Sequence, residues 1–188
     1  MNYVDPTGDK LTLTVDKKNQ SMTVCLSLKL GKKEFKKSFT VKVTTHVVAN
    51  SDSSQPNKAA NESLNPKNRN PNGSAWTQCP NGEWNITGVK DGPNKNVDGT
   101  VKDKQLTTDA HQLLPERKED GTIKIDENGD VMKVDDSGYN IHYTVNTNTA
   151  GCIGVKNEMQ MKAIIYLFRL NERIDPKSST LKVIGSEE

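Results

Sequence analysis

The sequence predicts a mainly β domain with one late amphipathic helix. Apolar and polar residues alternate along the N-terminal part of the chain, with the period of half-buried strands. One stretch near the C-terminus repeats its apolar residues every three or four positions, the period of a helix. Only 32% of the 188 residues are hydrophobic, and the 13 glycines raise that share to about 39%, below the roughly 45–50% of compact domains. The core is therefore small, and part of the chain is expected to lie outside it.

Residues 9–48 have the pattern of an antiparallel meander. The alternation at residues 11–15 predicts a first strand, and the alternation at residues 22–30 predicts a second. A turn at Gly31 leads into a third strand at residues 35–43. We therefore expect three neighbouring antiparallel strands at the start of the domain.

The segment from Asn50 to Ser74 has almost nothing to bury. Its apolar residues are Ala59, Ala60 and Leu64, and Asn, Ser, Lys and Pro dominate the rest. Burial of so little apolar surface cannot offset the entropy lost when the backbone is ordered. We expect an insertion here that is mobile or acts as a lid over a groove.

A second β region follows the insertion. Strand-like sequence runs over residues 76–89, and a Gly- and Pro-rich connection spans residues 91–99. Isoleucines and valines at residues 123–134 flank Asn128-Gly129, a strong hairpin-turn pair. The nearby aspartates invite a calcium-loop interpretation, but the glycine does not stand where an EF-hand loop requires it. We therefore predict a plain hairpin.

The helix is predicted from about Glu158 to Glu172. Asn157 and Gln160 form a start that is similar to a capping box. The apolar residues that share one helical face are Met161, Ile164, Ile165 and Phe168. We expect this face to pack on the sheet.

The charge balance and the apolar pattern exclude several classes of protein. Lysine plus arginine number 26 against 24 aspartate plus glutamate, which argues against a phosphate-tracking surface, so nucleic acid is not an expected partner. The longest apolar stretch, residues 163–168, is far short of the roughly 20 residues that span a bilayer, so no transmembrane segment is expected. The N-terminus also lacks the pattern of a signal peptide. No cysteine or histidine pair has zinc-ligand spacing, so neither a metal nor a cofactor is expected.

The three cysteines are too few for a disulfide framework and leave at least one thiol over. We place Cys25 on the apolar face of its strand and expect it to be buried. A Cys25–Cys79 disulfide in an oxidising compartment stays open as an alternative. Cys152 has the setting of a reactive thiol, because it follows Gly151, is expected just before a helix, and lies near His142 in sequence.

Helix N-terminal N–H groups and a neighbouring imidazole lower a thiol pKa, and the thiolate is the nucleophile. We therefore expect Cys152 to be activated by its position and by His142 together. Gly151 would let a substrate carbonyl approach the backbone, and the N–H groups around Cys152 could receive the developing oxyanion. A core cysteine that packs as a small hydrophobic residue stays open as the other interpretation.

Four short motifs follow one another along the chain. Residues 79–86 read Cys-Pro-Asn-Gly-Glu-Trp-Asn-Ile, residues 112–115 read Gln-Leu-Leu-Pro, residues 141–142 read Ile-His, and residues 149–153 read Thr-Ala-Gly-Cys-Ile. They resemble the Thr-Pro-x-Gly-x-aromatic-x-Ile, Leu-x-Pro, Ile-His and Ser/Thr-x-Gly-Cys motifs of L,D-transpeptidase catalytic domains. These domains are cysteine enzymes that remodel peptidoglycan stem peptides. The resemblance extends over roughly residues 10–170.

The resemblance implies an L,D-transpeptidase-like β-sandwich with one C-terminal helix packed on the sheet. It implies that Cys152 is the nucleophile, that His142 is its base, and that Gly151 lies at the oxyanion site. It also implies that a backbone carbonyl, rather than an aspartate, orients the His142 ring, and that no cofactor is needed. The residues expected to bind substrate are Thr149, Ala150, Tyr139, Tyr143 and Trp76.

The chain departs from the family pattern close to this site. Tyr143 stands where glycine usually follows the histidine, and Ala150 replaces a second motif histidine. Gly154 replaces the arginine that commonly follows Cys-Ile, and the run between His142 and Cys152 is shortened. Similar trimming is found in the amidase-like toxin branch of this fold, so the resemblance favours an antibacterial toxin.

Residues 2–8, Asn-Tyr-Val-Asp-Pro-Thr-Gly, resemble the junction that ends the Rhs-repeat core of bacterial polymorphic toxins. An ordinary turn before a strand is the alternative. The resemblance implies that residues 1–8 are a remnant of the junction and that residues 9–185 form one toxin domain. It implies an Rhs shell, type VI secretion machinery and a cognate immunity protein as partners. It also implies synthesis in the producer cytoplasm and action in the periplasm of the target cell.

The expected activity is that of a cysteine L,D-carboxypeptidase or L,D-transpeptidase. Cys152 would attack the carbonyl of the third stem residue and expel the terminal D-alanine of a tetrapeptide stem. The glycine at position 154 favours carboxypeptidase cleavage over exchange. A non-catalytic β-rich domain that binds cell wall or a partner is the alternative, and a cysteine hydrolase of another class is a third hypothesis.

Overall fold

The computed structural model describes residues 10–30, 32–46, 78–116, 118, 122–147, 149 and 151–185. Several sequence predictions fall on residues outside this description. They concern the junction-like residues 1–8, the insertion expected at residues 50–74, Trp76 and Ala150.

Ten strands and one helix make up the described part of the chain. The strands are β1 Lys10–Asp16, β2 Ser21–Leu30, β3 Lys33–Thr44, β4 Gly82–Asp91, β5 Lys104–Thr108, β6 His111–Pro115, β7 Lys133–Ser137, β8 Ile141–Tyr143, β9 Ile153–Val155 and β10 Thr180–Ile184. The helix α1 spans Glu158–Ile174, between β9 and β10.

Eight of the strands are hydrogen-bonded in a closed ring, in the order β1-β10-β4-β5-β8-β9-β3-β2, while β6 and β7 form a separate two-stranded sheet. The helix α1 packs against β1, β5, β8 and β9. The predicted class, mainly β with one helix packed on a multi-stranded sheet, is therefore confirmed. The ladders of the main sheet join into a barrel, so the apolar faces of all eight strands share one core.

The predicted N-terminal meander is also confirmed. Antiparallel ladders join β1 to β2 and β2 to β3. Phe35 and Phe39 are nevertheless 51% and 39% exposed, although they alternate in phase with the buried Val41. The reason is that β3 pairs with β9 only at Val43 and Thr44, so the far half of the β2–β3 hairpin extends beyond the core.

The prediction that Cys25 is buried on the apolar face is wrong. Its neighbour Val24 is buried in the core, so strand alternation directs Cys25 to the other face, where it is half-buried. Its cross-strand neighbours there are Thr12 and Ser38. Cys79 lies in the core instead, and all three cysteines are free thiols, so no Cys25–Cys79 disulfide is formed.

Helix α1 begins at the predicted residue and continues to Ile174. Asn157 is its N-cap, and the Asn157 side chain accepts the backbone N–H of Gln160 at 3.0 Å. The buried side chains of the helix are Met161, Ile164, Ile165, Phe168 and Asn171, which include the four predicted from the apolar spacing. Among the described residues, no helix is long and apolar enough to cross a membrane.

The predicted hairpin around Asn128-Gly129 is present. Ile125 and Val131 form an antiparallel bridge, and Gly129 has a φ of +88°, a conformation that favours glycine. Val134 does not face the isoleucines as expected, because it belongs to β7 and lies opposite Leu114 of β6. The hairpin therefore extends from the end of the β6–β7 ladder, away from the barrel strands.

Candidate active site

The two residues with the chemistry of a nucleophile and a base lie at neighbouring strands, His142 within β8 and Cys152 directly before β9. Strands β8 and β9 are parallel, with Ile141 opposite Ile153 and His142 opposite Gly154. Both isoleucines are buried in the core, so strand alternation places His142 and Cys152 on the outer face of the ladder. Cys152 stands two positions before Gly154. It is therefore diagonal to His142 in register, although no hydrogen bond among the described residues joins its thiol to the His142 ring.

The His142 ring is oriented by its own strand. Its Nδ1 lies 2.9 Å from the carbonyl oxygen of Tyr143. Since a carbonyl only accepts hydrogen bonds, Nδ1 carries the proton and Nε2 is an acceptor. Burial lowers the pKa of His142, and the Tyr143 carbonyl and the Asp103 carboxylate oppose this shift. The resting imidazole is therefore neutral at neutral pH, the form that can take up a proton.

The Cys152 thiol lies in a different environment from the one the sequence predicts. Strand β9 follows Cys152 directly, and α1 begins only at Glu158, so Cys152 does not lie at the helix N-terminus. Burial raises the pKa of the Cys152 thiol, while a backbone hydrogen bond from Asn140 and the Lys90 ammonium act in the opposite direction. The prediction that the helix start lowers this pKa is wrong. The thiol Sγ makes a long contact of 3.9 Å to the Gly138 carbonyl oxygen.

Thr149 makes two hydrogen bonds beside Cys152. The Thr149 hydroxyl donates to the Cys152 carbonyl at 2.5 Å, and the Thr149 N–H donates to the His46 carbonyl at 2.7 Å. Gly151 has a φ of +99°, a left-handed conformation that other residues rarely adopt. The N–H groups of Gly151 and Cys152 donate to none of the described residues. These are the backbone donors next to the thiol in sequence.

Gly154 is required by its surroundings. A Cβ added there would lie 2.4 Å from Cγ2 of Thr144, 2.9 Å from Cγ2 of Thr44 and 3.0 Å from Cγ2 of Thr149. These three methyl groups occupy the space of a side chain. Position 154 therefore has no room for the arginine of the family pattern without movement of the threonines.

Lys90 is a charged residue near Cys152 that sequence reasoning missed. Val89 pairs with the core residue Leu106, so the alternation of β4 places Lys90 on the outer face, opposite Gln105. The Lys90 charge lowers the pKa of Cys152, although burial outweighs it. The alternation of β4 was visible in the sequence, but nothing in the sequence shows that β5 and β8 bring β4 close to Cys152.

Tyr139 and Tyr143 alternate with His142 and therefore point to the other side of the ladder. Tyr139 is buried, and its hydroxyl donates to the Asp136 carboxylate and accepts from Nε2 of Gln112 at 2.5 Å. Tyr143 lines a cavity beside α1. Of the three expected substrate-binding residues that the structure describes, Thr149, Tyr139 and Tyr143, only Thr149 is hydrogen-bonded to Cys152, through its hydroxyl.

Comparisons of the chain with protein-family models, with curated proteins and with solved structures find no match. Support for a function therefore comes from the residues and the geometry of this chain.

Alkylation of Cys152 is expected to require alkaline pH. Burial disfavours the thiolate, so the half-maximal rate with iodoacetamide should occur above the value of about 8.5 that is usual for free cysteine. The rate is measured by mass spectrometry in a Cys25→Ser background, so that Cys25 does not contribute to the signal. Burial raises the pKa of Cys79 to about 12, so that thiol should not react. A midpoint well below that of free cysteine would contradict a neutral Cys152 thiol beside a neutral His142 ring. It would indicate a thiolate next to a protonated His142.

Proposed function

We propose that the chain is a cysteine hydrolase of the L,D-transpeptidase type that acts on peptidoglycan stem peptides. What supports the proposal most is the β8–β9 register, which puts Cys152, directly before β9, diagonal to His142. A nucleophilic cysteine needs a base within reach, and the base needs its second nitrogen held by another group. The Tyr143 carbonyl supplies that hold. A cysteine that only packs in a core needs neither a base nor a group that orients the base.

The proposed reaction begins with both groups neutral. As Sγ of Cys152 attacks the carbonyl carbon of the third stem residue, Nε2 of His142 takes the thiol proton. The N–H groups of Gly151 and Cys152 donate to the tetrahedral oxyanion. Collapse of this intermediate breaks the C–N bond, and His142 returns the proton to the departing amine of D-alanine.

A thioester between Cys152 and the shortened stem then remains. Water attacks the thioester carbonyl while His142 accepts a proton from it, and the C–S bond breaks. The proton returns to sulfur, so the products are a tripeptide stem with a new carboxylate and the original thiol. An amine in place of water would give exchange or a crosslink through the same acyl-enzyme.

The terminal carboxylate of the stem needs a cation beside the thiol. Gly154 leaves no room for an arginine, whereas the Lys90 ammonium is close enough to lower the Cys152 pKa. We assign the carboxylate to Lys90. The missing arginine would also weaken the hold on a second stem that carries an acceptor amine, which favours hydrolysis over transfer.

The proposal includes a biological setting, for which residues 2–8 are the support. Their resemblance to an Rhs junction favours a toxin domain that is made in the producer cytoplasm inside an Rhs shell and delivered by type VI machinery. It would act on the wall in the target periplasm and be neutralised there by a cognate immunity protein.

Purified protein mixed with tetrapeptide muropeptides is expected to release free D-alanine and tripeptide muropeptides, both detected by liquid chromatography and mass spectrometry. Lys90→Gln should raise KM for the tetrapeptide more than it lowers kcat, because it removes a contact made in both the ground state and the transition state. Lys133→Gln, on the exposed edge of β7, is the matched control and should leave both constants unchanged. Intact tetrapeptides alongside cut crosslinks or glycan bonds would contradict the substrate assignment.

A non-catalytic domain that binds cell wall or a partner is the second candidate. The observation that favours it is the burial of the Cys152 thiol, which raises its pKa and keeps it in the less reactive form. Retention of the chain on intact sacculi, with no fragments released and with no change in the Cys152→Ala variant, would favour this function over catalysis.

A further inference from the structure

A cavity of 270 Å³ lies between α1 and residues 101–104, beside Tyr143 of β8. Its floor includes Met161 and Ile165, which are 1% and 6% exposed. Tyr143 and Tyr166 form aromatic walls, and Tyr166 is 67% exposed at the mouth. An apolar floor with aromatic walls suits the apolar body of a small molecule.

Two cations on the lining, Lys102 and Arg169, form no side-chain hydrogen bond or ion pair with the described residues. The other charged groups of the lining already have partners: Lys104 with Asp91, Lys162 with Glu158, and Asp103 with Asn94. Lys162 lowers the pKa of the Glu158 carboxyl most, and the charge of Lys102 lowers it less. The positive charge of Lys102 is therefore only partly compensated. The cavity therefore combines an apolar floor with positive charge that its acidic groups compensate only in part.

We propose that this cavity binds a small amphipathic carboxylic acid. The apolar part of the acid lies on Met161 and Ile165, and its carboxylate is bound by Arg169 with Lys102. The guanidinium of Arg169 can donate two parallel hydrogen bonds to one carboxylate, which the Lys102 ammonium cannot. A volume of 270 Å³ equals roughly nine water molecules. That space holds one acylated amino acid or the carboxyl-terminal residue of a peptide, two sources of the same chemistry.

The cavity is independent of the proposed reaction at Cys152. Tyr143 touches both places, since its side chain lines the cavity while its carbonyl oxygen accepts from His142. Neither Cys152 nor His142 lines the cavity. Asn94 donates through Nδ2 to the Asp103 carboxylate at 2.7 Å and to the Tyr143 carbonyl at 2.9 Å, which holds the wall in place before a ligand arrives. Binding is therefore expected whether or not Cys152 is catalytic.

The test uses the full chain labelled with ¹⁵N and titrated with N-acetyl-L-leucine. We expect saturable amide shifts at Met161, Ile165 and Tyr143, with an affinity of about millimolar for a ligand of this size. N-acetyl-L-leucinamide, which lacks the carboxylate, should bind at least about tenfold more weakly. A tetrapeptide that ends in leucine as the free acid is the second arm. If both acids bind, the cavity recognises the carboxylate that they share. If one of them binds more tightly, the ligand class is an acylated amino acid or a peptide carboxyl terminus accordingly.

Variants at the helix separate charge recognition from nonspecific attraction. Arg169→Gln should weaken binding of N-acetyl-L-leucine about tenfold, whereas Arg173→Gln, on the exposed last turn of α1 and outside the lining, should not change it. Cys152→Ala should bind as the original chain does. The proposal is overturned if the amide binds as tightly as the acid, if both arginine variants lose affinity equally, or if no shift saturates. Thermal melts of each variant confirm that the fold is retained.

Discussion

Replacement of Cys152 with alanine is expected to abolish the release of D-alanine from tetrapeptide muropeptides, with a loss of at least about a thousandfold in kcat/KM. No other group on the outer face of β8 and β9 can form the thioester. A melting temperature close to that of the original chain would show that the loss is not caused by unfolding. The same variant, expressed with an added export signal, should no longer kill the cells that make it.

Three further variants make this result specific. Cys25 lies on the face of β2 that points away from the core, so Cys25→Ala should keep full activity. His142→Ala should lose nearly as much as Cys152→Ala, and the double variant should be little worse than either, because the two groups act as one unit. Undiminished release of D-alanine by Cys152→Ala, or additive losses in the double variant, would contradict a joint role.

The largest effect on stability is expected from Gly154→Ala. The added methyl would stand 2.4 Å from Cγ2 of Thr144, a distance that no relaxed contact has, so β9 or its neighbours must shift. Overpacking of this kind costs about 1–3 kcal/mol and occasionally more. The free energy of unfolding, measured by urea titration, should fall by at least this amount. Because β9 follows Cys152 directly, any residual activity should fall with it.

A matched control and a rescue test the cause. Gly88→Ala adds the same methyl group to the outer face of β4, where the nearest atom is Oγ1 of Thr107 at 3.4 Å, and should cost far less. Thr144→Ser removes the closest methyl group and keeps the hydroxyl that accepts the Asn146 N–H at 3.1 Å. Combined with Gly154→Ala it should recover part of the lost stability. Equal losses at both glycines would show that flexibility, and not the three threonine methyls, explains the requirement.

Features that depend on contacts within a few residues were predictable from the sequence. Alternation predicted β1, β2 and β3, Asn128-Gly129 predicted a turn, and Asn157 marked the start of α1, where it is the N-cap. Each of these has a short physical cause: a period of two or 3.6, a left-handed glycine, or a side-chain acceptor for a free N–H. The same alternation places Val24 inside and Cys25 outside, so the burial predicted for Cys25 contradicted a pattern already present in the sequence.

The assembly of the candidate site could not be predicted from the sequence, because it depends on which strands pair. The sequence motifs named Cys152 and His142, but only the parallel pairing of β8 with β9 makes them diagonal neighbours on one face. It also separates Cys152 from the helix, and the burial that results reverses the predicted direction of the thiol pKa. The pairing of β4 with β5, and of β5 with β8, brings Lys90 toward the thiol from far along the chain. Strand pairing and desolvation depend on residues distant in sequence, and local periodicity carries no information about either.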